Sequence, residues 1–206
     1  EDLTISAILE REDSRDVLIS KKYSSLSDFT NTSSIGTSSV RRICNIKYEY
    51  PNIRISDMRG NIDTRINKVL DGNMDGIILA AAGVIRLGLE KYITSYMDKK
   101  IWIPAIGQGA IGIESRKNNK IINNIVGKLN HEHTKICVDA EREVSKFFEA
   151  SCSTPIAANA VINKDKITLS AMIGAIDGSE KIYYEESGLI GNSKKIGFNV
   201  SSKLEQ

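Results

Sequence analysis

The sequence is poor in cysteine and proline and contains no long apolar run. Its 206 residues include three cysteines, three prolines and one tryptophan. Three cysteines without a repeating spacing exclude a disulfide framework, and they predict a protein of the reducing cytoplasm. The longest apolar stretch, residues 77–85, contains one glycine and is too short to cross a bilayer, so we expect no membrane partner.

The sequence also lacks a strong excess of either charge. Lysine and arginine total 28 against 26 for aspartate and glutamate, which gives a formal net charge of +2. This balance excludes a general affinity for polyanions, so we expect no nucleic-acid partner. Hydrophobic residues make up 41% of the chain and charged residues 26%, proportions that are typical of a soluble globular protein with a normal core.

The two kinds of cation are distributed unevenly. The chain has 10 arginines and 18 lysines, yet residues 41–86 hold six of the arginines and only two of the lysines. A guanidinium differs from an ammonium in its planar fork, which binds carboxylates and phosphates through two parallel hydrogen bonds. The bias therefore predicts an anion site in this stretch, with scattered surface ion pairs as the alternative.

Two of these arginines stand where a helix should disfavour them. In GTSSVRRICNIKYEY (36–50) a loop of small residues leads into an apolar-periodic helix, and Arg41 and Arg42 fall in its first turn. Because the N-terminus of a helix is partly positive, each cation there costs about 0.3–1 kcal/mol. We interpret the pair as part of an anion site. Ser38 and Ser39 then contact the ligand, cap the helix, or do both.

Apolar periodicity predicts alternating strands and helices in the first half of the chain. Such alternation implies a mostly parallel α/β sheet, whose ligands bind beyond the C-terminal ends of the strands. The arginines that flank such strand ends are Arg41, Arg42, Arg59, Arg65 and Arg86, whereas Arg54 lies within a strand and is expected to pair with a carboxylate. The predicted strands are 3–9, 17–20, 53–57 and 76–81, and the predicted helices are 39–49, 62–70 and 83–90.

The second half of the chain follows a different pattern. A glycine-rich stretch, 103–116, turns into a strand, and Gln108 stands among its glycines. Backbone can approach a ligand closely there, although a crossover between domains would need the same conformational freedom. After it come two predicted helices and a run of strands, which together indicate a small α+β unit with a three-stranded antiparallel sheet. The helices are 118–130 and 134–149, and the strands are 156–163, 166–173 and 181–188.

The three cysteines and two histidines differ in their surroundings. Cys44 and Cys137 lie on apolar helix faces and are predicted core residues. Cys152 follows a helix end and stands between serines, so we consider a nucleophile or an attachment point beside a purely structural position. His131 and His133 have no cysteine or acidic partner set nearby. They are therefore predicted to serve a loop or a helix cap rather than a metal ion.

Five motifs occur together and in a fixed order. They are GTSSVRR, MRGNIDTRINKV, DGIILAAAGVIRLGL, IPAIGQGAIGIE and AEREVSKFFEASCSTPIAA. In this order they closely resemble the hydroxymethylbilane synthase family, whose members are also called porphobilinogen deaminases. The resemblance extends over nearly the whole chain, and the charged segment EREDSRD (10–16) is similar to the first interdomain hinge of the family.

The resemblance implies an activity and a site. The family joins four porphobilinogen molecules head to tail into the linear tetrapyrrole hydroxymethylbilane, for haem synthesis, and releases ammonia each time. A dipyrromethane cofactor is carried on a cysteine thioether, and that cysteine is Cys152 here. The implied cofactor contacts are Ser39, Arg41, Arg42, Arg59, Arg65 and Gln108, and the implied substrate contacts are Thr37, Ser38 and Arg86.

The sequence departs from the family pattern in two places. The opening segment of the family, with most of its first domain and a Ser-x-Lys-Asp motif that supplies the catalytic aspartate, is absent, and no residue here replaces that carboxylate. We therefore expect no catalytic residue in this chain and no activity from it alone, with a separate N-terminal piece as one candidate partner. Because the chain begins EDLTISA without Met, we expect the protein to start earlier. The usual Gly-Gly before the cofactor cysteine is Ala150-Ser151.

The resemblance also implies a domain organisation. The family is usually monomeric and has three domains, of which the first two resemble periplasmic binding proteins. Residues 1–10 and 108–128 are the predicted remnant of domain 1, residues 11–107 the α/β domain 2, and residues 129–206 the α+β domain 3 with Cys152. Hinges are expected near 10–15 and 103–108. The rival hypothesis is a non-catalytic α/β module that binds an anionic small molecule, which needs neither Cys152 nor domain 3.

Overall fold

A computed structural model describes residues 2–151 and 153–206. The chain forms a five-stranded sheet, a two-stranded ribbon and a three-stranded sheet, with helices packed against each of them. The predicted fold class, an α/β part followed by a small α+β part with a three-stranded antiparallel sheet, is confirmed. Within the described ranges, none of the helices combines the length and the apolarity that crossing a membrane requires.

The five-stranded sheet has the order β4-β3-β5-β2-β6. Strand β3 runs parallel to β4 and β5, while β2 runs antiparallel to β5 and β6, so the sheet is mixed rather than mostly parallel. The sequence pattern predicts no strand at β3. The reason is that only three residues of a Ser- and Thr-rich segment form it, which is too few to show a strand periodicity. The strands are β2 (Asp16–Ile19), β3 (Ser34–Gly36), β4 (Arg54–Ser56), β5 (Gly76–Ala80) and β6 (Ser95–Tyr96).

Helices cover both faces of this sheet, and β5 lies at its centre. The side chains of Ile77, Ile78 and Leu79 are all buried and belong to cores on opposite faces, as the continuous apolar run predicted. The third helix ends earlier than expected, because the chain turns at Gly88 with a φ of 66°. The helices are α1 (Val40–Glu49), α2 (Ile62–Leu70) and α3 (Ala81–Arg86), with short 3-10 turns at Leu26–Asp28 and Glu90–Tyr92.

The C-terminal sheet is antiparallel, in the order β10-β9-β8, and two helices pack on it. Its core joins strand residues such as Leu169 to Val144 and Val200 of the helices. The last helix was not predicted, although Ile196, Val200 and Leu204 follow a helical spacing. The elements are α5 (Glu132–Phe147), β8 (Ile156–Asn163), β9 (Lys166–Gly174), β10 (Lys181–Leu189), a 3-10 turn (Ile190–Asn192) and α6 (Ser193–Leu204).

The two-stranded ribbon pairs β1 (Leu3–Ile8) with β7 (Gly112–Arg116), and α4 (Lys120–Gly127) packs beside it. This unit leaves several large apolar side chains exposed. No residue of α4 is buried although the helix is amphipathic. The exposed apolar side chains in and near this unit are Leu3, Ile5, Ile111, Ile121, Ile122, Ile125 and Leu129.

One buried carboxylate joins the segments 10–15 and 103–108 to the C-terminal unit. Glu141 of α5 is fully buried and pairs with Arg11 at 2.5 Å. It also accepts the backbone N–H of Gly107 at 2.7 Å and that of Ala160 at 2.8 Å. Both expected hinges, 10–15 and 103–108, are therefore held to the same side chain.

Candidate functional site

Helix α1 begins with two buried arginines. Arg41 is 4% exposed and Arg42 is 9% exposed. Arg41 donates to the carbonyl of Ile103, and Arg42 donates to the carbonyl of Ile78, each at 2.9 Å. Two arginines in the first turn of a helix are thus directed inward instead of into solvent. They point toward β5 and toward the glycine-rich stretch that begins at Ile103, which we call the crossover.

The carboxylate of Asp16 lies between the two guanidinium groups. Arg41 and Arg42 approach it at 2.8 and 2.7 Å, and the indole N–H of Trp102 donates to it at 2.6 Å. Burial alone would raise the pKa of Asp16, but Arg42 and Arg41 outweigh burial and hold that pKa well below its usual range. Asp16 is therefore ionised, and it compensates one of the two positive charges.

The compensation is incomplete in charge and in hydrogen bonding. Two arginines and one aspartate leave a formal charge of +1 in this group. The Nε atoms of Arg41 and Arg42 are buried and have no hydrogen-bond partner among the described residues. A buried donor without an acceptor costs about 1–3 kcal/mol. The cluster therefore keeps an excess of positive charge and two buried donors that no described group accepts.

Gln108 belongs to the same cluster. Its Nε2 donates to the carbonyl of Ser14 at 2.6 Å and to Asp16 at 3.0 Å, while its Oε1 accepts from Arg41 at 3.4 Å. The crossover passes close to the 10–15 segment here, since a Cβ on Gly109 (φ 85°) would lie 2.5 Å from the carbonyl oxygen of Glu12. Gln108 thus stands in a crossover, and its side chain also orients Asp16 and Arg41.

A cleft of about 670 Å³ opens beside the start of α1. Ser39 is the N-cap residue of α1, but its side chain makes no capping hydrogen bond and is free to face the cleft. Ser38 instead donates its hydroxyl to the carbonyl of Met58. The lining residues are Ser38, Ser39, Val40, Arg41, Ala105, Ile106, Arg142, Ser145, Ala150, Ser151, Thr154 and Ile156.

The loop that contains Cys152 borders this cleft. Cys152 itself lies outside the described residues, but Ser151 and Thr154 on either side of it line the cleft together with Arg41. Among the described residues of this loop, Glu149 has a left-handed backbone, with a φ of 46°. It directly precedes Ala150-Ser151, the pair at the position of the usual Gly-Gly.

Of the remaining predicted arginines, Arg59 and Arg86 are exposed and Arg65 is half-buried. Arg59 follows β4 with a side chain that is 91% exposed and 3.5 Å from Asp57. The Nε of Arg65 donates to the carbonyl of Gly60, and Arg86 ends α3 in an exposed position. None of the three lines the cleft, so the structure separates them from the buried pair. Exposed Arg54 was expected to pair with a carboxylate, but it forms no ion pair with any described residue.

Several other expectations can be compared with the described residues. Thr37 is buried, and its hydroxyl accepts the N–H of Ser39 at 3.2 Å, so it orders the loop. Cys44 and Cys137 are buried, as predicted.

His131 caps α5 by accepting the N–H of Thr134, which confirms a capping role. Within residues 2–151 and 153–206, no group of three or more His, Cys, Asp or Glu residues is arranged to hold a metal ion.

Sequence reasoning missed three residues of this site. Asp16 and Trp102 were not singled out, because nothing local shows that they meet Arg41 and Arg42. Arg142 lies outside the arginine-rich stretch, although it faces the cleft from α5. Its position in AEREVSKFFEASC, ten residues before Cys152, is the signal that could have identified it.

The family models and the curated relatives agree in one family. Residues 1–124 match the family model described as porphobilinogen deaminase, dipyromethane cofactor binding domain, and residues 135–206 match that of its C-terminal domain. Among solved structures, a lipoprotein of the YaeC family from Enterococcus faecalis is 14% identical, with a TM-score of 0.41, over 70% of this chain and 66% of that one.

Curated relatives are similar along almost the entire chain. The porphobilinogen deaminase of Coxiella burnetii (strain CbuG_Q212) is 45% identical over 98% of this chain and 66% of its own length. That of Blochmanniella pennsylvanica is 41% identical over 99% of this chain and 68% of its own length. The chain thus spans about two thirds of the length of these relatives. Because the two matching models describe domains of one protein family, this chain belongs to the porphobilinogen deaminase family.

Proposed function

We propose that the polypeptide containing this chain joins four porphobilinogen molecules into hydroxymethylbilane and releases ammonia at each step. One observation carries the proposal: residues on both sides of Cys152 line the same cleft as the buried Arg41 and the uncommitted hydroxyl of Ser39. Described residues on either side of the candidate attachment cysteine thus line one cleft with a cation for carboxylates, although Cys152 follows Arg41 by 111 positions in the sequence.

The residues present fit a dipyrromethane cofactor, whose acetate and propionate groups are anions. The buried Nε donors of Arg41 and Arg42 and the excess positive charge around Asp16 suit carboxylates. When bound through Cys152, the cofactor supplies the pyrrole carbon to which the first substrate is joined. Arg41, with Ser39 and Arg142 at the rim, holds carboxylates, while Arg42 and Gln108 fix the position of Arg41 through Asp16.

We assign the arginines outside the cleft to the growing product and the incoming substrate. Arg59 and Arg86 are exposed, Arg65 is half-buried, and none of the three belongs to a buried ion pair among the described residues, so they can bind carboxylates without breaking buried contacts. Thr37 and Ser38 act indirectly, because their hydroxyls are engaged within the loop before α1. Orientation of two reactants in this way lowers the entropic part of the barrier by several kcal/mol.

The exposed apolar face of the ribbon supports a further expectation. Ile121 is 75% exposed and Ile125 59%, on a helix that buries none of its residues. Contiguous apolar patches of this kind mark a surface that another structure covers. We propose that this face completes the first domain with a further segment, joined to the chain or separate, and that residues 1–206 alone are inactive. We expect a monomeric, cytoplasmic enzyme once the segment is present.

Intact-mass spectrometry of the complete polypeptide tests the proposal. The wild-type protein should carry an adduct of two linked pyrrole rings, and Cys152→Ser should lack it, because the thioether needs the thiol. Cys137→Ser is the matched control, because Cys137 lies on α5 and is buried in the C-terminal core, so this change should leave the adduct in place.

The rival hypothesis, a non-catalytic anion-binding module, makes the opposite prediction. A module of that kind binds porphobilinogen or another small carboxylate reversibly and carries no covalent adduct. An unmodified wild-type mass, in protein produced by a host that makes tetrapyrroles, would therefore reject the synthase function and favour the module.

A further inference from the structure

The turn between β9 and β10 packs directly on the back of helix α1. A Cβ built on Gly178 would lie 2.5 Å from the Cβ of Lys47 and 2.7 Å from the backbone nitrogen of Tyr48. Gly178 also has a φ of 74°, which favours glycine. The C-terminal unit thus approaches the backbone of the helix that begins with Arg41 and Arg42.

Lys181, the first residue of β10, extends this contact. Its side chain is 11% exposed, and its Nζ lies 2.6 Å from Oε1 of Glu49 at the end of α1. The same ammonium stands 4.6 Å from the ring centre of Tyr48. A partly desolvated ammonium that combines an ion pair with an aromatic face is held more firmly than an exposed pair.

A chain of hydrogen bonds leads from Lys181 to the cofactor cleft. The Nζ of Lys181 donates to Oδ1 of Asn45 at 3.4 Å. Asn45 is fully buried, and its Nδ2 donates to the backbone carbonyl of Arg41 at 3.1 Å. Lys181 is therefore linked through Asn45 to the backbone of Arg41, which lines the cleft, although Lys181 itself lies outside the cleft.

We infer that Lys181 is a positioning residue: through Glu49 and Asn45 it holds helix α1, and with it the guanidinium of Arg41, in place beside the cofactor cleft. The effect on turnover rests on the proposed function, whereas the effect on α1 does not. The C-terminal unit then has two tasks, since it carries Cys152 and also braces the helix that supplies the cation.

The reactivity of Cys44 can report whether the contact between α1 and the β9–β10 hairpin is intact. Cys44 is fully buried, in a cluster with Ile103, Ala157 and Met172 that joins α1 to the C-terminal sheet. A Cβ on Gly174 of β9 would lie 2.7 Å from its sulfur atom. A thiol reagent can reach Cys44 only when the hairpin and α1 separate, so its labelling rate measures how often they do.

The experiment compares Lys181→Met with Lys166→Met in the complete, cofactor-loaded polypeptide. Lys166 starts the neighbouring strand and is exposed, so it controls for the loss of a lysine from the same sheet. We expect Lys181→Met to raise the labelling rate of Cys44, followed by peptide mass, roughly fivefold to tenfold. Amide exchange at residues 40–45 should accelerate as well, and KM for porphobilinogen should rise more than kcat falls.

Glu49→Gln provides the independent variant, because it weakens the same contact from the side of α1. It should reproduce the effects of Lys181→Met in direction. Labelling and exchange equal to those of Lys166→Met would overturn the inference, and so would faster labelling with an unchanged KM. If the wild-type protein carries no adduct and shows no turnover, the proposed function fails, while labelling and amide exchange still decide whether Lys181 positions α1.

Discussion

The buried arginine pair and the exposed arginines of the same stretch have the same chemistry but different tasks. Arg41 and Arg42 share one carboxylate, are almost inaccessible and tie α1 to the sheet. Arg59 has a 91% exposed side chain and a loose pair with Asp57 at 3.5 Å. The difference teaches that burial makes the first kind part of the folded core, while the second kind contributes little to stability; under the proposed function both kinds bind carboxylates.

The largest effect is expected from removing the shared carboxylate. Asp16→Asn leaves two buried guanidinium groups without an anion, so the free energy of unfolding should fall by about 3–5 kcal/mol. Urea denaturation of the complete polypeptide measures this loss. Asp57→Asn is the matched control, because it removes the partner of an exposed arginine and should cost about 0.5 kcal/mol or less. Equal losses in the two variants would erase the distinction between the two kinds of arginine.

The next effect is a dependence of stability on pH. Because the folded pKa of Asp16 is lowered from an ordinary value of 3.8, the unfolded chain takes up the proton first as the pH falls. The contribution of Asp16 is therefore fully present above about pH 4 and declines below it, by at most about 1.4 kcal/mol per pH unit. Measured between pH 5 and pH 3, the difference between wild type and Asp16→Asn should shrink. A constant difference would argue against an ionised Asp16.

The smallest effect on stability is expected at Arg59. Arg59→Ala removes an exposed side chain with one loose ion pair, so the free energy of unfolding should change by no more than about 0.5 kcal/mol. Under the proposed function KM for porphobilinogen should nevertheless rise, because a carboxylate contact is lost. Steady-state kinetics beside urea denaturation separates the two quantities. A large loss of stability with an unchanged KM would reverse the assignment of Arg59.

Sequence patterns identified the elements that carry a strong local signal. Helix α2 was predicted at 62–70, as observed, because an apolar stripe ends at Asp71-Gly72, where Gly72 has a φ of 77°. Strand β3 was missed, because three residues carry too little periodicity, and α6 was missed although its apolar spacing was visible. Local propensity alone could not show that β3 inserts between β4 and β5.

The candidate site likewise contains some residues that the sequence reveals and others that only the fold reveals. The first-turn arginines, the glycine-flanked Gln108 and the cysteine after a helix are visible as anomalies of sequence. Their partners are not visible, since Asp16 lies 25 residues from Arg41 and Trp102 lies 86 residues from Asp16. Arg142 and Lys181 belong to the C-terminal unit, and only the tertiary fold brings Arg142 to the cleft and Lys181 to Glu49 of α1.

The sequence by itself determined the fold class, the family and the residue types available for binding anions, because these follow from periodicity, composition and ordered motifs. The tertiary structure alone decided which arginines are buried and which are exposed. The physical reason is that a guanidinium can be buried only where a carboxylate and carbonyl oxygens meet it. Here β2, β5 and the crossover bring those acceptors to Arg41 and Arg42 from distant parts of the chain.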